Sequence, residues 1–205
     1  MIRLLYCNIN NLSEPHPVFL PEFMRTDIAR YKHAADRKVR LAARFMLYKC
    51  LEADGRPELI HQWRKDAHHK PFISGWLHFN ISHSAELAVF VCGEDPMGID
   101  IEKNTAQDYT EMAAWFHPEE QAFIWEAPDT GSAFYTIWTR KEALLKAVGT
   151  GIVNGLSHVS CLGERVDFQG KSWYFYKISI HEDYTCCLCA PVAPNASILR
   201  VAELR

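Results

Sequence analysis

The sequence predicts a mixed α+β fold built around one core of moderate size. Apolar residues recur at helical spacing in three segments, at 27–51, 109–126 and 134–148. Short runs rich in β-branched and aromatic residues lie between and after them, at 77–82, 86–92, 97–102, 159–163, 165–169, 172–180 and 184–192. A chain of 205 residues with 48% hydrophobic residues is long enough to bury one sizeable core.

The N-terminal elements are predicted to be a strand followed by a long basic helix. Residues 1–12 hold one arginine, no long apolar run and no small-residue cleavage site, so they predict a first strand and not a signal peptide. The helix at 27–51 mixes basic with apolar residues, and Gly55 follows as a stop signal. Residues 56–73 contain the Lys70-Pro71 step, which favours extended geometry before the proline, so we predict a short helix and then a loop.

The central segment is predicted to hold three strands of one sheet and then two helices. The strands at 77–82, 86–92 and 97–102 are short and close in sequence, and the Asp95-Pro96 turn between the last two marks a candidate boundary. Pro118 suits the first turn of a helix, and Gly149 suits the end of the next one.

Charge and cysteine content exclude several classes of protein. A formal charge of −3 and a pI near 6.4 give no bulk attraction to nucleic acid or to a membrane surface. The longest apolar runs are far shorter than the ~20 residues that span a bilayer. Seven cysteines, without a regular framework, predict unpaired thiols in a reducing, cytoplasmic location. Cys186, Cys187 and Cys189 lack a second pair at zinc spacing and are predicted to be buried strand thiols.

Two acidic residues on one predicted strand suggest a cation site. The side-chain period of two puts Asp100 and Glu102 on one face and Ile99 and Ile101 on the other. Paired carboxylates repel unless a cation lies between them, and hard oxygen ligands select Mg²⁺. An isolated acid-x-acid pattern is also typical of a solvated strand face, so both interpretations remain open at this point.

The helix at 138–148 carries a second pair of charges. Glu142 and Lys146 are four residues apart, while Trp138, Leu145 and Val148 can form an apolar stripe. The pair is either an ordinary surface contact, worth about 0.3–0.5 kcal/mol, or a third metal ligand beside a phosphate contact.

Residues 79–84, FNISHS, supply hydroxyl and imidazole groups that can donate hydrogen bonds to phosphate. A serine hydrolase is the competing interpretation. It is disfavoured because no G-x-S-x-G motif occurs and because Ser82 and His83 would point to opposite faces of a strand.

The glycines at 149, 151 and 155 match a dinucleotide-binding fingerprint poorly, since they follow a helix and not a strand. They predict the end of a helix and a loop.

Four motifs together resemble the Sfp-type 4'-phosphopantetheinyl transferases, which are similar to holo-acyl-carrier-protein synthases. These motifs are Lys70-Pro71, FNISHS at 79–84, GIDIE at 98–102 and WTRKEALLKAVGTGI at 138–152. They span about 80 residues in the family's order, and weaker similarity covers the basic helix at 36–51. The resemblance implies a monomer of two similar α/β halves, 1–95 and 96–205, related by a pseudo-twofold axis, with coenzyme A in the cleft between them.

The resemblance also implies a role for each motif residue. The implied magnesium ligands are Asp100, Glu102 and Glu142. Lys146 is the implied pyrophosphate contact and acid, with Ser82 and His83 as further contacts to coenzyme A phosphates. The implied contacts at the adenosine end are Lys70 and Arg40, with Arg37 and Arg44 as neighbours that share the task. Ala43 stands where the family has a glycine, which leaves open which arginine meets the 3'-phosphate.

The implied reaction transfers 4'-phosphopantetheine from coenzyme A to a serine of an acyl or peptidyl carrier protein, giving 3',5'-ADP and the holo-carrier. Glu142 or a metal-bound water would be the base. A non-catalytic relative that binds coenzyme A or a carrier is the main alternative, and a magnesium-dependent phosphate enzyme of another class is the second. Basic residues are either ordinary solvated side chains or a docking surface for an acidic carrier, namely Arg25, Arg30, Arg140 and Lys141.

Overall fold

A computed structural model describes residues 1–11, 17–149, 157–193 and 199–204, and within them the fold is mixed α and β. The strands are β1 (Ile2–Asn8), β2 (Trp63–Lys65), β3 (Pro71–Ile73), β4 (His78–Ser84), β5 (Leu87–Gly93), β6 (Gly98–Lys103), β7 (Arg165–Phe168), β8 (Lys171–Lys177), β9 (Tyr184–Ala190) and β10 (Leu199–Glu203). The α-helices are α1 (Glu22–Ala29), α2 (Ala34–Ala53), α3 (Thr110–Ala113), α4 (Pro118–Glu126) and α5 (Thr130–Val148). Two 3₁₀ helices cover Pro17–Phe19 and Pro57–Gln62.

Two four-stranded sheets form the centre of the described structure. The first has the order β10-β1-β5-β4 and the second the order β6-β9-β8-β7, while β2 and β3 form a separate hairpin. Only the β1–β10 pair is parallel among these described strand pairs. The prediction that the three central strands share one sheet is wrong for β6. Strand β5 already has both edges occupied, by β1 and β4, and β6 pairs instead with β9.

The two sheets pack face to face, and a long helix covers the outer face of each. Val89 and Val91 of β5 meet Ile99 and Ile101 of β6 in the core between the sheets. Alternate residues of β5 point the other way and pack on α2, while those of β9 pack on α5. This arrangement follows from strands that are apolar on both faces, which must be covered on both sides.

Several predicted helices are divided in the structure. The predicted 27–51 helix is two helices, α1 and α2, because the Arg37 guanidinium donates to the carbonyl groups of Tyr31 (2.7 Å) and Lys32 (2.8 Å) and stabilises a turn there. The predicted 109–126 helix is likewise broken before Pro118, which begins α4 as its first residue. Helix α5 ends as predicted, with Gly149 in the left-handed region at φ 83°.

Two other segments also differ from the prediction. Residues 56–73 form a 3₁₀ helix and the β2–β3 hairpin where a helix and loop were predicted. Residues 159–163 were predicted as a strand but are irregular. Their backbone groups bond to side chains instead of to a neighbouring strand: the Arg140 guanidinium donates to the carbonyls of Cys161 (3.0 Å) and Leu162 (2.7 Å), and Glu120 accepts the Cys161 N–H (2.7 Å).

The remaining predictions concern thiols and membrane spans. All seven cysteines are free and buried, which confirms that Cys186, Cys187 and Cys189 are strand thiols in the core. Among the described helices, none combines the length and the apolar character needed to cross a bilayer.

Gly98 allows the closest approach between β6 and α5. A Cβ atom added to Gly98 would overlap the carbonyl oxygen of Ala143 and the amide nitrogen of Ala147, both of which belong to the α5 backbone. A flexible side chain could move aside, but a helix backbone cannot do so without shifting as a whole. The absence of a side chain at Gly98 therefore sets the distance between this strand and this helix.

Gly98→Ala is expected to destabilise the fold by about 1–3 kcal/mol, because the added methyl group pushes α5 away from β6. Urea denaturation would measure the change. Gly131→Ala in the first turn of α5 is the matched control, since its Cβ would come no closer than 3.4 Å to the nearest atom. The control should be stabilised by about 0.5–1 kcal/mol. An unchanged midpoint for Gly98→Ala would contradict the close packing.

Candidate active site

Strand β6 carries the two acidic residues that the sequence singled out. Ile99 and Ile101 are fully buried in the core between the sheets, so Asp100 and Glu102 project from the opposite face toward α5, as the period of two predicted. Asp100 is 2% exposed, and Glu102 is half-buried. A carboxylate as buried as that of Asp100 needs a charged or hydrogen-bonding partner.

Helix α5 brings Glu142 and Lys146 to the same place. The Lys146 Nζ atom lies 2.6 Å from Asp100 Oδ1 and 3.1 Å from the Ser82 hydroxyl. Glu142 is half-buried, and its Oε1 atom has no hydrogen-bond partner although it is inaccessible to solvent. Asp100 Oδ2 is in the same situation. These two buried carboxylate oxygens are therefore free to accept a hydrogen bond or to coordinate a cation.

The three carboxyl groups share one poorly solvated region. Burial raises the pKa of Asp100 above its usual value, and the Lys146 ammonium opposes this rise. Burial also raises the pKa of Glu102, with the Asp100 charge as the next cause. For Glu142, burial raises the pKa, Lys146 lowers it, and both other carboxylates raise it. Each ionised carboxylate thus disfavours the ionisation of its neighbours. A cation bound between them would offset this repulsion.

The chemistry of this donor set fits a hard divalent cation. All candidate ligands are carboxylate oxygens, which Mg²⁺ prefers over nitrogen or sulfur, and two of the oxygens are buried and unpartnered. In the described part of the chain, no three such side chains are close enough to hold an ion as they stand. The Lys146 ammonium lies 2.6 Å from Asp100 Oδ1, so an ion at Asp100 would require Lys146 to move away from this carboxylate.

Strand β4 faces this acidic region with one side. The Ser82 hydroxyl donates to Asp100 Oδ1 at 2.9 Å and is largely buried. His83 points to the other side of β4, as the alternation predicted. Burial lowers the pKa of His83, and the charges of Arg40 and Lys146 lower it further. Sequence reasoning missed Asn80 and Ser84 on the Ser82 side, although their alternation with Phe79 and Ile81 was a visible signal.

Lys70 connects the hairpin to the end of α5. Its ammonium group donates to the carbonyl oxygens of Lys146, Ala147 (3.3 Å) and Met97 (3.4 Å). Burial lowers the pKa of Lys70. The side chain borders a cavity of about 240 Å³ that also reaches Glu142 and Lys146. The remaining lining residues are His68, His69, Pro71, Asn80, Ile81, Leu145 and Gly149.

The three arginines of α2 have different surroundings. The Arg40 guanidinium stacks on the Tyr31 ring, with 3.8 Å from its carbon to the ring centre, and its Nε is buried without a hydrogen-bond partner. Arg44 lies 3.6 Å from an Asp27 carboxylate oxygen, and burial lowers the pKa of Arg44. Arg37 is used by the turn that separates α1 from α2.

The prediction that four basic residues lie on the surface is wrong for Lys141. Lys141 is 1% exposed and lies 2.7 Å from a Glu120 oxygen, because α5 turns this residue inward. The Arg140 guanidinium is engaged by the carbonyl groups of residues 161 and 162. Arg25 and Arg30 on and after α1 are exposed.

Comparison with known proteins identifies the family. The family model of the 4'-phosphopantetheinyl transferase superfamily matches residues 96–189. The 4'-phosphopantetheinyl transferase gsp of Aneurinibacillus migulanus is 30% identical over 163 residues, which cover 74% of this chain and 68% of the relative. The chain belongs to the 4'-phosphopantetheinyl transferase superfamily.

Two further relatives match the chain over 156 and 78 residues. The putative 4'-phosphopantetheinyl transferase of Haemophilus influenzae is 28% identical over 156 residues, 69% of this chain and 66% of that protein. The 4'-phosphopantetheinyl transferase Sfp of Bacillus subtilis is 36% identical over 78 residues, 37% of this chain and 34% of Sfp. The predicted membership is thereby confirmed. The stretch that the family model matches contains Asp100, Glu102, Glu142 and Lys146; residues 150–152 of the last motif lie outside the described residues.

Proposed function

We propose that this phosphopantetheinyl transferase moves the 4'-phosphopantetheine arm of coenzyme A onto a serine of an acyl or peptidyl carrier protein, releasing 3',5'-ADP. The observation that carries the proposal is the Lys146–Asp100 contact of 2.6 Å at the β6–α5 junction, with the carboxylates of Asp100, Glu102 and Glu142 near enough to influence one another electrostatically. Unpartnered buried oxygens on Asp100 and Glu142 support a cation-dependent reaction. The names of the relatives, 4'-phosphopantetheinyl transferases, support 4'-phosphopantetheine as the transferred group.

Asp100, Glu102 and Glu142 are proposed to hold Mg²⁺. When bound there, the ion would neutralise negative charge that develops on the pyrophosphate of coenzyme A. Lys146 would leave its contact with Asp100 and bind the same pyrophosphate, since an ammonium group can exchange one oxygen partner for another. The proposal is supported by the position of Lys146, which borders both the carboxylates and the cavity.

The cavity beside Lys70 and Lys146 is proposed to receive part of coenzyme A. Ser82 and His83 would contact its phosphates, and Lys70 and Arg40 its adenosine end. Among the arginines of α2, Arg40 is best suited to the 3'-phosphate. The Arg37 guanidinium already donates to backbone carbonyl groups and Arg44 lies 3.6 Å from an Asp27 oxygen, whereas Arg40 stacks on the Tyr31 ring. The Nε atoms of Arg40 and Arg44 are both buried without a hydrogen-bond partner, so this feature does not separate the two. A planar guanidinium suits bidentate phosphate binding.

In the proposed reaction the carrier serine oxygen forms a bond to the β-phosphorus, and the bond from that phosphorus to the oxygen of the 3',5'-ADP group breaks. Glu142 accepts the serine proton, and Lys146 donates a proton to the leaving 3',5'-ADP. Glu142 Oε1 is buried without a hydrogen-bond partner, so it is able to accept this proton.

Two similar halves, 1–95 and 96–205, are proposed to be related by a pseudo-twofold axis. The proposal is supported by a repeated order: β1-β5-β4 with α2 in one sheet, and β6-β9-β8 with α5 in the other. Strand β10 from the second half joins the first sheet. A monomer in the cytoplasm is proposed as well, and seven unpaired thiols suit that reducing compartment.

Incubation of a panel of apo carrier proteins with the enzyme, coenzyme A and Mg²⁺ tests the proposal. We expect a mass gain of one phosphopantetheine on a carrier, lost with EDTA and with Asp100→Ala, because both changes remove the charge balance at the pyrophosphate. Asp108→Ala at a fully exposed site is the control and should retain the gain. Bound coenzyme A without transfer to any carrier would favour a non-catalytic relative instead.

A further inference from the structure

Strand β4 contacts β6 through one row of polar side chains. Asn80, Ser82 and Ser84 alternate along β4, and each forms a hydrogen bond with β6. The Asn80 side-chain oxygen accepts the N–H of Ile99 at 2.9 Å, and the Ser82 hydroxyl donates to Asp100. The Ser84 hydroxyl donates to Glu102. A short run of alternating polar residues therefore faces the strand that carries the acidic pair.

These side-chain hydrogen bonds take the place of backbone hydrogen bonds between β4 and β6. Strands β4 and β6 are edge strands of different sheets and lie side by side without pairing with each other. The outward N–H groups of an edge strand need acceptors when they are buried. Asn80 provides one for Ile99, and the Ser84 oxygen provides another for Lys103 at 3.0 Å. The side chains of β4 thus hold β6 in a fixed position along the sheet contact.

The Ser84 hydroxyl has a fixed orientation. A hydroxyl has one hydrogen to donate, and its oxygen can accept. The Lys103 N–H can only donate, so it approaches a lone pair of the Ser84 oxygen. The hydrogen of Ser84 is then directed to Glu102 Oε2, which can only accept when ionised. The backbone of β6 therefore orients Ser84, and Ser84 in turn orients the Glu102 side chain.

We infer that Ser84 is a positioning residue that fixes the Glu102 carboxylate for cation binding. This role rests on the proposed function, in which Glu102 is a metal ligand. Hydrogen bonds to ligating carboxylates limit the rotation of those ligands before the metal arrives, and their loss typically weakens metal binding by about 10–100-fold. Asn80 contributes indirectly, by holding the strand on which Glu102 stands.

Mn²⁺ binding to the coenzyme A complex, measured by electron paramagnetic resonance, tests this role without requiring transfer. We expect Ser84→Ala to raise the Kd for Mn²⁺ about 10–100-fold. Ser84→Thr keeps the hydroxyl on a residue that strands favour, and should stay within about threefold of the wild type. Ser172→Ala is the matched control, because it removes a similar bond, from the Ser172 hydroxyl to Asp167 at 2.6 Å, in the distant β7–β8 hairpin.

The outcomes separate positioning from a merely structural role. A lower unfolding temperature for Ser84→Ala with an unchanged Kd for Mn²⁺ would overturn the inference, and so would equal weakening by the alanine and threonine variants. If the wild-type protein binds Mn²⁺ and modifies a carrier, such results reject the Ser84 role alone. If the wild type does neither, the proposed function fails and this role fails with it.

Discussion

Lys141→Met is expected to destabilise the folded protein by about 3–5 kcal/mol, because it leaves a buried carboxylate without its cation. The Lys141 Nζ atom lies 2.7 Å from Glu120 Oε2, and Glu120 is completely buried. Lys141 also donates to the carbonyl oxygen of Val159 at 2.8 Å. Methionine keeps most of the apolar stem, so the change isolates the loss of the ammonium group.

Urea denaturation with a matched ion pair tests this prediction. The Lys49–Glu52 pair has the same 2.7 Å separation but about half-exposed side chains, so Lys49→Met should change stability by less than about 1 kcal/mol. The double variant Glu120→Gln/Lys141→Met should recover part of the loss, since no unpaired charge remains inside. Equal effects of Lys141→Met and Lys49→Met would refute the prediction.

Glu142→Gln is expected to lower the rate of carrier modification by about 10²-fold or more at saturating Mg²⁺. Glutamine has nearly the same shape, so the backbone of α5 should remain in place. The substitution removes the negative charge that the site needs both to hold the cation and to accept the serine proton. The unfolding temperature should not fall, because the burial of Glu142 already disfavours its charged form.

Single-turnover kinetics with a carrier protein would measure the Glu142→Gln effect. Glu126→Gln at the exposed end of α4 is the control and should retain the wild-type rate. Near-wild-type transfer by Glu142→Gln would remove this residue from the proposed mechanism. It would leave the positions of Asp100 and Glu102 to be tested separately.

Features that depend on neighbours along the chain could be predicted from the sequence. The side-chain period of a strand determines which residues share a face, and it correctly predicted that Asp100 and Glu102 project from the same face of β6. The end of α5 followed from Gly149, since a left-handed residue stops a helix. The order and spacing of the motifs were also sufficient to identify the family.

Features that depend on distant partners could not be predicted in this way. The pattern of β6 gave no information on whether β4 or β9 would pair with its backbone, because both edges of a strand offer the same groups. Lys141 was interpreted as a surface residue because its inward orientation depends on Glu120, which lies 21 positions earlier. The contact between Lys146 and Asp100 likewise joins two elements through tertiary packing.

The parallel pairing of β1 with β10 has a consequence during synthesis. Leu199 lies beside Ile2, a separation of 197 positions (199 minus 2). A ribosome adds about 5–20 residues per second, so β10 is synthesised about 10–40 s after β1. During this time one edge of β1 lacks its pairing strand. An unpaired strand edge is a template for association with other chains. This edge of β1 therefore stays open to association with other chains until residues 199–203 have left the ribosome.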